Sequence, residues 1–202
     1  MMQPPERSPE RDAAIEAVLP LVPEEGWTVT ALRRAAGPDA DLLFPGGAVD
    51  MVEAYSDLGD RRMEATAAAE GMDGLRLPAR VRRIIAIRLE QNRPHKEAVR
   101  RGLSVLALPG NVGVAARCTA RTVDSIWFAA GDTSTDFSWY TKRAILTGVY
   151  GTTLLYWLSD TSPADEATLA FLDRRLADVG RIGKLRRDIE GVLQRLRPRG
   201  AV

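Results

Sequence analysis

One histidine and one cysteine are all that this 202-residue chain offers in the way of imidazole or thiol. His95 sits beside Pro94 in a polar, basic turn, and no Glu-x-x-His pair accompanies it. Cys118 has no second thiolate or imidazole near it in sequence, so the usual ligand spacings of zinc and di-iron sites are missing. A Ser-His-Asp set would have to recruit His95, and no serine lies in a strand-turn-helix context. The chain also lacks Gly-x-Gly-x-x-Gly and Gly-Lys-Ser/Thr, the loops that cradle phosphates. A lone cysteine forms no intramolecular disulfide, which fits a reducing compartment. Catalytic and metal-binding residues are therefore expected to be absent, and with them any cofactor.

Other scarcities narrow the choice further. Lysine occurs only at 96, 142 and 184, arginine carries the rest of the positive charge, and the net charge is +1. No global field draws the chain to nucleic acid or to an acidic membrane. The N-terminal MMQPPERSPERD has no apolar segment of signal-peptide type. The longest near-apolar run, Ala144 to Leu158, falls short of the roughly 20 residues a spanning helix needs, and it carries three threonines.

What remains is helical periodicity from end to end, without a convincing alternating strand. Residues 1–9, with three prolines, are expected to be disordered. Helices are predicted over Asp12 to Leu21, Thr28 to Gly37, Ala48 to about Gly71, Ala79 to Gln91 and Pro94 to Leu106. A short element is expected around Asp39 to Phe44. Val112 to Ala130 and Thr135 to Leu158 read as a long antiparallel pair. Ser162-Pro163-Ala164-Asp165 reads as a helix start leading to about Val179, and Lys184 to Leu196 as a last helix. The fold class is all-α. The expected division is an N-terminal helix-turn-helix-like unit at 10–71 and a C-terminal bundle at 72–202.

Three short helices ahead of a larger bundle is the architecture of tetracycline-repressor-like regulators, whose third helix enters the major groove. Here Ala35 to Asp60 contains no Lys or Arg, but holds Asp39, Asp41, Asp50, Glu53, Asp57 and Asp60. Carboxylates facing a phosphate backbone oppose binding, so no nucleic-acid partner is expected. In the long helix pair, two facing apolar stripes are interrupted by small residues. A pocket between them is predicted, lined by Leu103, Leu106, Val123, Trp127, Leu146, Val149, Tyr150, Thr153 and Trp157. At about 100° per residue Trp139 is in phase with the core stripe, whereas Tyr140 shares a polar flank with Asp136 and Arg143. The Trp139-Tyr140 pair is thus read either as core or as a docking anchor. Lys184 to Leu196 forms a basic amphipathic stripe suited to a membrane surface, to the bundle or to a second subunit of a homodimer.

The run WFAAGDTSTDFSWYTKRAILTGVYGTTLLYWLSDTSP, Trp127 to Pro163, resembles the Coq-nine family, accessory proteins of ubiquinone (coenzyme Q) biosynthesis. FLDRRLADVG at Phe171 to Gly180 matches as well, and Gly26 to Leu32 and Leu43 to Gly47 do so more loosely. The resemblance implies a tetracycline-repressor-like fold that no longer serves DNA binding. It implies a non-enzymatic protein that holds a lipid, an isoprenoid quinone precursor, in its C-terminal bundle. It further implies support of the di-iron demethoxyubiquinone hydroxylase through a patch at Asp124, Ile126, Asp136, Trp139, Tyr140 and Arg143. Eukaryotic members carry a mitochondrial targeting segment; without one here, the expectation is a bacterial cytoplasmic protein peripherally associated with the inner membrane. The alternative on the same scaffold is a ligand-responsive transcription regulator.

Overall fold

A computed structural model of the chain describes residues 4–132 and 138–180. Asp136 and the stripe from Lys184 to Leu196 lie outside the described residues. Among those described, helices alternate with turns and no strand occurs.

The helix boundaries follow local chemistry. Ser8 accepts from the Arg11 backbone N–H at 3.2 Å and Pro9 opens the first helix, α1, Pro9–Val18. That cap places the start three residues before the expected Asp12. The segment expected to be disordered is engaged from Arg7 onward: its guanidinium holds Asp57 at 2.6 and 2.9 Å. A single turn, α2, Val22–Glu25, precedes α3, Val29–Ala36, whose N-cap Thr28 accepts from the Ala31 N–H at 3.1 Å. The element expected at Asp39 to Phe44 is one 3-10 turn, Ala40–Leu43. Then come α4, Ala48–Glu70, α5, Leu77–Asn92, α6, Lys96–Leu106, α7, Val112–Ala129, and α8, Ser138–Ser159.

The helix expected to start at Ser162 begins one turn later, as α9 at residues 166–180. Pro163–Asp165 is a 3-10 turn in which Ala164 and Asp165 have φ of 50° and 60°. Such non-glycine conformations persist only where neighbours fix them. Arg93 does so, bonding Asp165 at 2.8 Å and the Ala164 carbonyl at 3.3 Å.

Two apolar cores result. One gathers α1, α3 and the first half of α4 around Ile15, Val18, Leu32, Phe44 and Met51. The other gathers the end of α4 with α5, α7, α8 and α9 around Met63, Ile84, Ile85, Ile126, Trp157 and Leu172. Tyr55 packs against both. Trp27 ties the first core to α6 by donating from its indole to the Ala98 carbonyl at 2.9 Å. No single helix among the described residues is long and apolar enough to cross a membrane.

Between the cores lies a buried charge pair. Arg88 Nε meets Asp60 at 3.2 Å, and the Thr122 hydroxyl donates to both Asp60 oxygens at 3.0 Å. Arg88 Nη2 donates to the Ser56 carbonyl at 3.2 Å. A Cβ at Gly59 would overlap this guanidinium and force it to shift. Burial pushes the Asp60 carboxyl up to about 6, with Arg88 and Thr122 opposing the rise.

Candidate functional site

The predicted pocket between α7 and α8 takes a different form. Val123, Thr153 and Trp157 are fully buried, and the seam between the two helices is packed around them. The expected small-residue windows do not open it, since Ala116 and Gly148 face outward. Space appears on either side of the seam instead, because each side is roofed by a third helix that fits it incompletely. The remaining lining candidates divide between those spaces.

An outer cavity of about 200 Å³ is walled by Leu77, Pro78 and Val81 of α5, Trp127 of α7, Lys142, Ile145, Leu146 and Val149 of α8, and Leu176 and Val179 of α9. Its wall is almost wholly apolar. An inner chamber of about 90 Å³ lies between the cores and takes Leu103, Leu106 and Tyr150. It adds Tyr55, Asn92, Val99 and Leu154, none of them expected from the sequence. Leu103 and Leu106 also line an open groove of about 480 Å³ between α6, α7 and α8, which ends at Leu155 and Leu158.

The expected docking residues lie at the start of α8 and the adjoining face of α7. Tyr140 is 69% exposed. Trp139 is half-buried and belongs to neither core, although its phase matches the core stripe. In the first turn of α8 that phase points beyond the bundle's neighbours. The two rings meet edge to face with centroids 4.7 Å apart. The Arg143 guanidinium lies 3.7 Å above the Trp139 ring and pairs with Asp124 of α7. Ile126 is the exception. It is fully buried in the second core, so its side chain offers nothing to a partner, and its assignment to the patch is corrected on that ground. Phe128, one helical turn past Asp124, is 73% exposed and extends the same face. Its sequence signal was an aromatic at i+4 from a patch residue.

The groups that could carry chemistry are quiet. Burial pushes the Cys118 thiol up to about 11, which leaves it a packed, unreactive side chain. His95 occupies the N-cap position of α6 without a capping hydrogen bond, and burial lowers its pKa. No cluster of three or more His, Cys, Asp or Glu suited to a metal occurs among the described residues.

The first helices correct the electrostatic argument against DNA. Most carboxylates of the arginine-free segment pair with guanidinium groups from elsewhere; exposed Asp39 does not. Asp50 meets buried Arg11 at 2.8 Å, Asp57 meets Arg7 and Arg61, and Glu53 meets Arg121 at 2.9 Å. The paired ones do not form an acidic face. The stronger structural fact is that the element in the recognition position is a single four-residue 3-10 turn rather than a helix that could lie along a groove.

Comparison with known proteins agrees with this architecture. The sequence model of the COQ9 family matches residues 112–183. The rat (Rattus norvegicus) "Ubiquinone biosynthesis protein COQ9, mitochondrial" is 30% identical over 188 residues, covering 87% of this chain and 60% of the relative. The Xenopus laevis COQ9-B protein is 30% identical over 90% of this chain and 68% of its own length. The Schizosaccharomyces pombe coq9 protein is 30% identical over 87% of this chain and 72% of its own. The chain thus spans less than two thirds of the rat protein. Among solved structures, a TetR transcriptional regulator from Nitrosomonas europaea superposes with a TM-score of 0.69 at 23% identity, covering 84% of this chain and 97% of that one. It shares the fold, which is tetracycline-repressor-like and all-α. By sequence, the chain belongs to the COQ9 family.

Proposed function

We propose that this protein serves ubiquinone biosynthesis as a non-enzymatic accessory. It binds an isoprenoid quinone precursor in its C-terminal bundle and presents it to the di-iron demethoxyubiquinone hydroxylase. Family membership supports the pathway. The finer reading is carried by the arrangement of one helix. The first three turns of α8 turn Trp139, Tyr140 and Arg143 outward, while Lys142, Ile145, Leu146 and Val149 face an apolar cavity. An aromatic pair with an adjoining arginine is the composition of an interface hot spot, and here it lies at the rim of space suited to an apolar chain. Asp124 and Phe128 belong to the same docking face in this reading. Membrane contact through Lys184 to Leu196, at the bilayer that carries the lipid, belongs to the same proposal. No cofactor beyond the bound lipid is invoked, and no nucleic acid.

Mass spectrometry of the purified protein tests the reading. A co-purifying isoprenoid or other lipid in near-stoichiometric amount is expected, together with retention of the hydroxylase in a pull-down. Protein that is free of lipid, takes none up from vesicles and does not retain the hydroxylase overturns it.

A further inference from the structure

A cleft of about 320 Å³ lies between α4, α7 and the segment ahead of α1. Pro4 and Arg7 wall it together with Asp57 and Glu64 of α4 and Asp124 and Phe128 of α7. Asp124 and Phe128 also belong to the docking face, so the two surfaces are continuous. The cleft contains a complete guanidinium site. Asp57 is 3% exposed, and Arg7 meets its two oxygens through Nε and Nη2 at 2.9 and 2.6 Å. Such a parallel pair of bonds selects a planar fork over an ammonium. Asp57 does not depend on that arginine. Arg61 Nε, one turn along α4, donates to it at 3.0 Å, and Arg61 is itself anchored by Asp12 at 2.7 and 2.9 Å. Arg7 has a side chain 47% exposed and bonds only Asp57 among the described residues. A half-exposed pair of this kind is held weakly. The buried carboxylate is therefore the fixed half of the site, and Arg7 is the replaceable half. Glu64, half-buried on the same wall, forms no ion pair among the described residues and attracts Arg7 only from a distance. The other charges on the wall are matched: Asp60 by Arg88, Asp124 by Arg143 and Arg121 by Glu53.

We infer that this cleft is an arginine socket, filled by Arg7 in the free protein and by an arginine of the protein partner in the docked complex. The inference rests on the docking reading for the partner's place and adds the chemistry of one contact. The partner's guanidinium takes Asp57, with Glu64 supplying unmatched negative charge beside it. Its apolar stem lies against the Phe128 ring, which is exposed at the rim. Arg7 is then an internal competitor that the partner displaces, and Arg61 keeps Asp57 paired throughout the exchange.

Arg7→Ala in the full chain empties the socket while leaving Asp57 its Arg61. Titration of this variant with N-acetyl-arginine amide, followed by amide NMR, should give saturable shifts at Asp57, Glu64 and Phe128. The wild type should need about threefold to tenfold more of the probe, because its site is open only a fraction of the time. N-acetyl-lysine amide should bind the variant more weakly than the arginine amide, since one ammonium does not span both oxygens. Glu64→Arg added to Arg7→Ala should lower the affinity for the arginine amide and leave the Asp57–Arg61 pair in place. Hydroxylase binding should tighten in Arg7→Ala by a factor similar to that of the probe. Equal probe binding by wild type and Arg7→Ala, lysine amide bound as tightly as arginine amide, or hydroxylase binding unchanged or weakened by Arg7→Ala would each overturn the inference and leave the docking reading intact. Absence of hydroxylase binding in both proteins overturns the docking reading and with it the partner named here, whereas the probe titration separately decides the guanidinium site.

Discussion

The N-terminal core and the start of α8 both combine arginines, carboxylates and aromatic rings, to opposite ends. Around the first core, Arg11 is buried with its guanidinium 4.4 Å above the Phe44 ring, bonded to the Leu43 carbonyl and to Asp50. Arg61 bridges Asp12 and Asp57, and Arg33 holds Asp41 at 2.6 Å. Each of these charges is matched inside the unit, and the Phe44 ring is covered. At α8 the same chemistry, Arg143 over Trp139 and against Asp124, stands at the surface with Tyr140 and Phe128 exposed beside it. The first arrangement locks a small core; the second leaves aromatic surface uncovered. In the N-terminal unit the fold is shared with the regulator, and the element in the recognition position is one 3-10 turn.

The sharpest break lies between the two regions. Arg88→Met leaves the buried Asp60 carboxylate without its counter-ion and should cost about 3–5 kcal/mol in chemical denaturation near neutral pH. Retention of wild-type stability would show that the pair is not what joins the cores. Next comes the docking face. Trp139→Ala with Tyr140→Ala should cost about 2 kcal/mol or more per residue in hydroxylase binding, roughly thirtyfold each, with little change in thermal stability. A large stability loss with binding retained would return Trp139 to the core. Tyr140→Ala alone is the cleaner arm, since Tyr140 is the more exposed.

A smaller effect separates the regions by pH. The folded-state pKa of Asp60 is raised to about 6, above its ordinary unfolded value near 4, so between those values the native state holds the extra proton. This residue's contribution to stability is full below about pH 4 and falls as pH rises through about 6. Denaturation at several pH values should show that slope in the wild type, and Asp60→Asn should lose it. The smallest change is expected at Leu42, which is 78% exposed on the turn in the recognition position. Leu42→Ala should alter stability by less than about 0.5 kcal/mol, and neither form should bind duplex DNA in an anisotropy titration at low salt. Salt-sensitive submicromolar binding would restore the regulator reading.

Sequence by itself determined the all-α class, most helix spans and the family. Helical period, a Thr28 cap and Gly-Pro stops are local signals, and the block from Trp127 to Pro163 carries its identity in consecutive residues. It also placed Tyr140 and Arg143 on a polar flank, where the structure shows them outside the core. Ile126 escaped that reading because neighbours in a motif share a helix but not a face. Only the tertiary structure decided that the seam of α7 and α8 is solid, that space opens on both its sides, and that Asp50, Asp57 and Asp60 face arginines rather than solvent. A helix's phase fixes the direction of each side chain. What it meets there depends on a third helix, delivered from far along the chain, and on how well that helix fits.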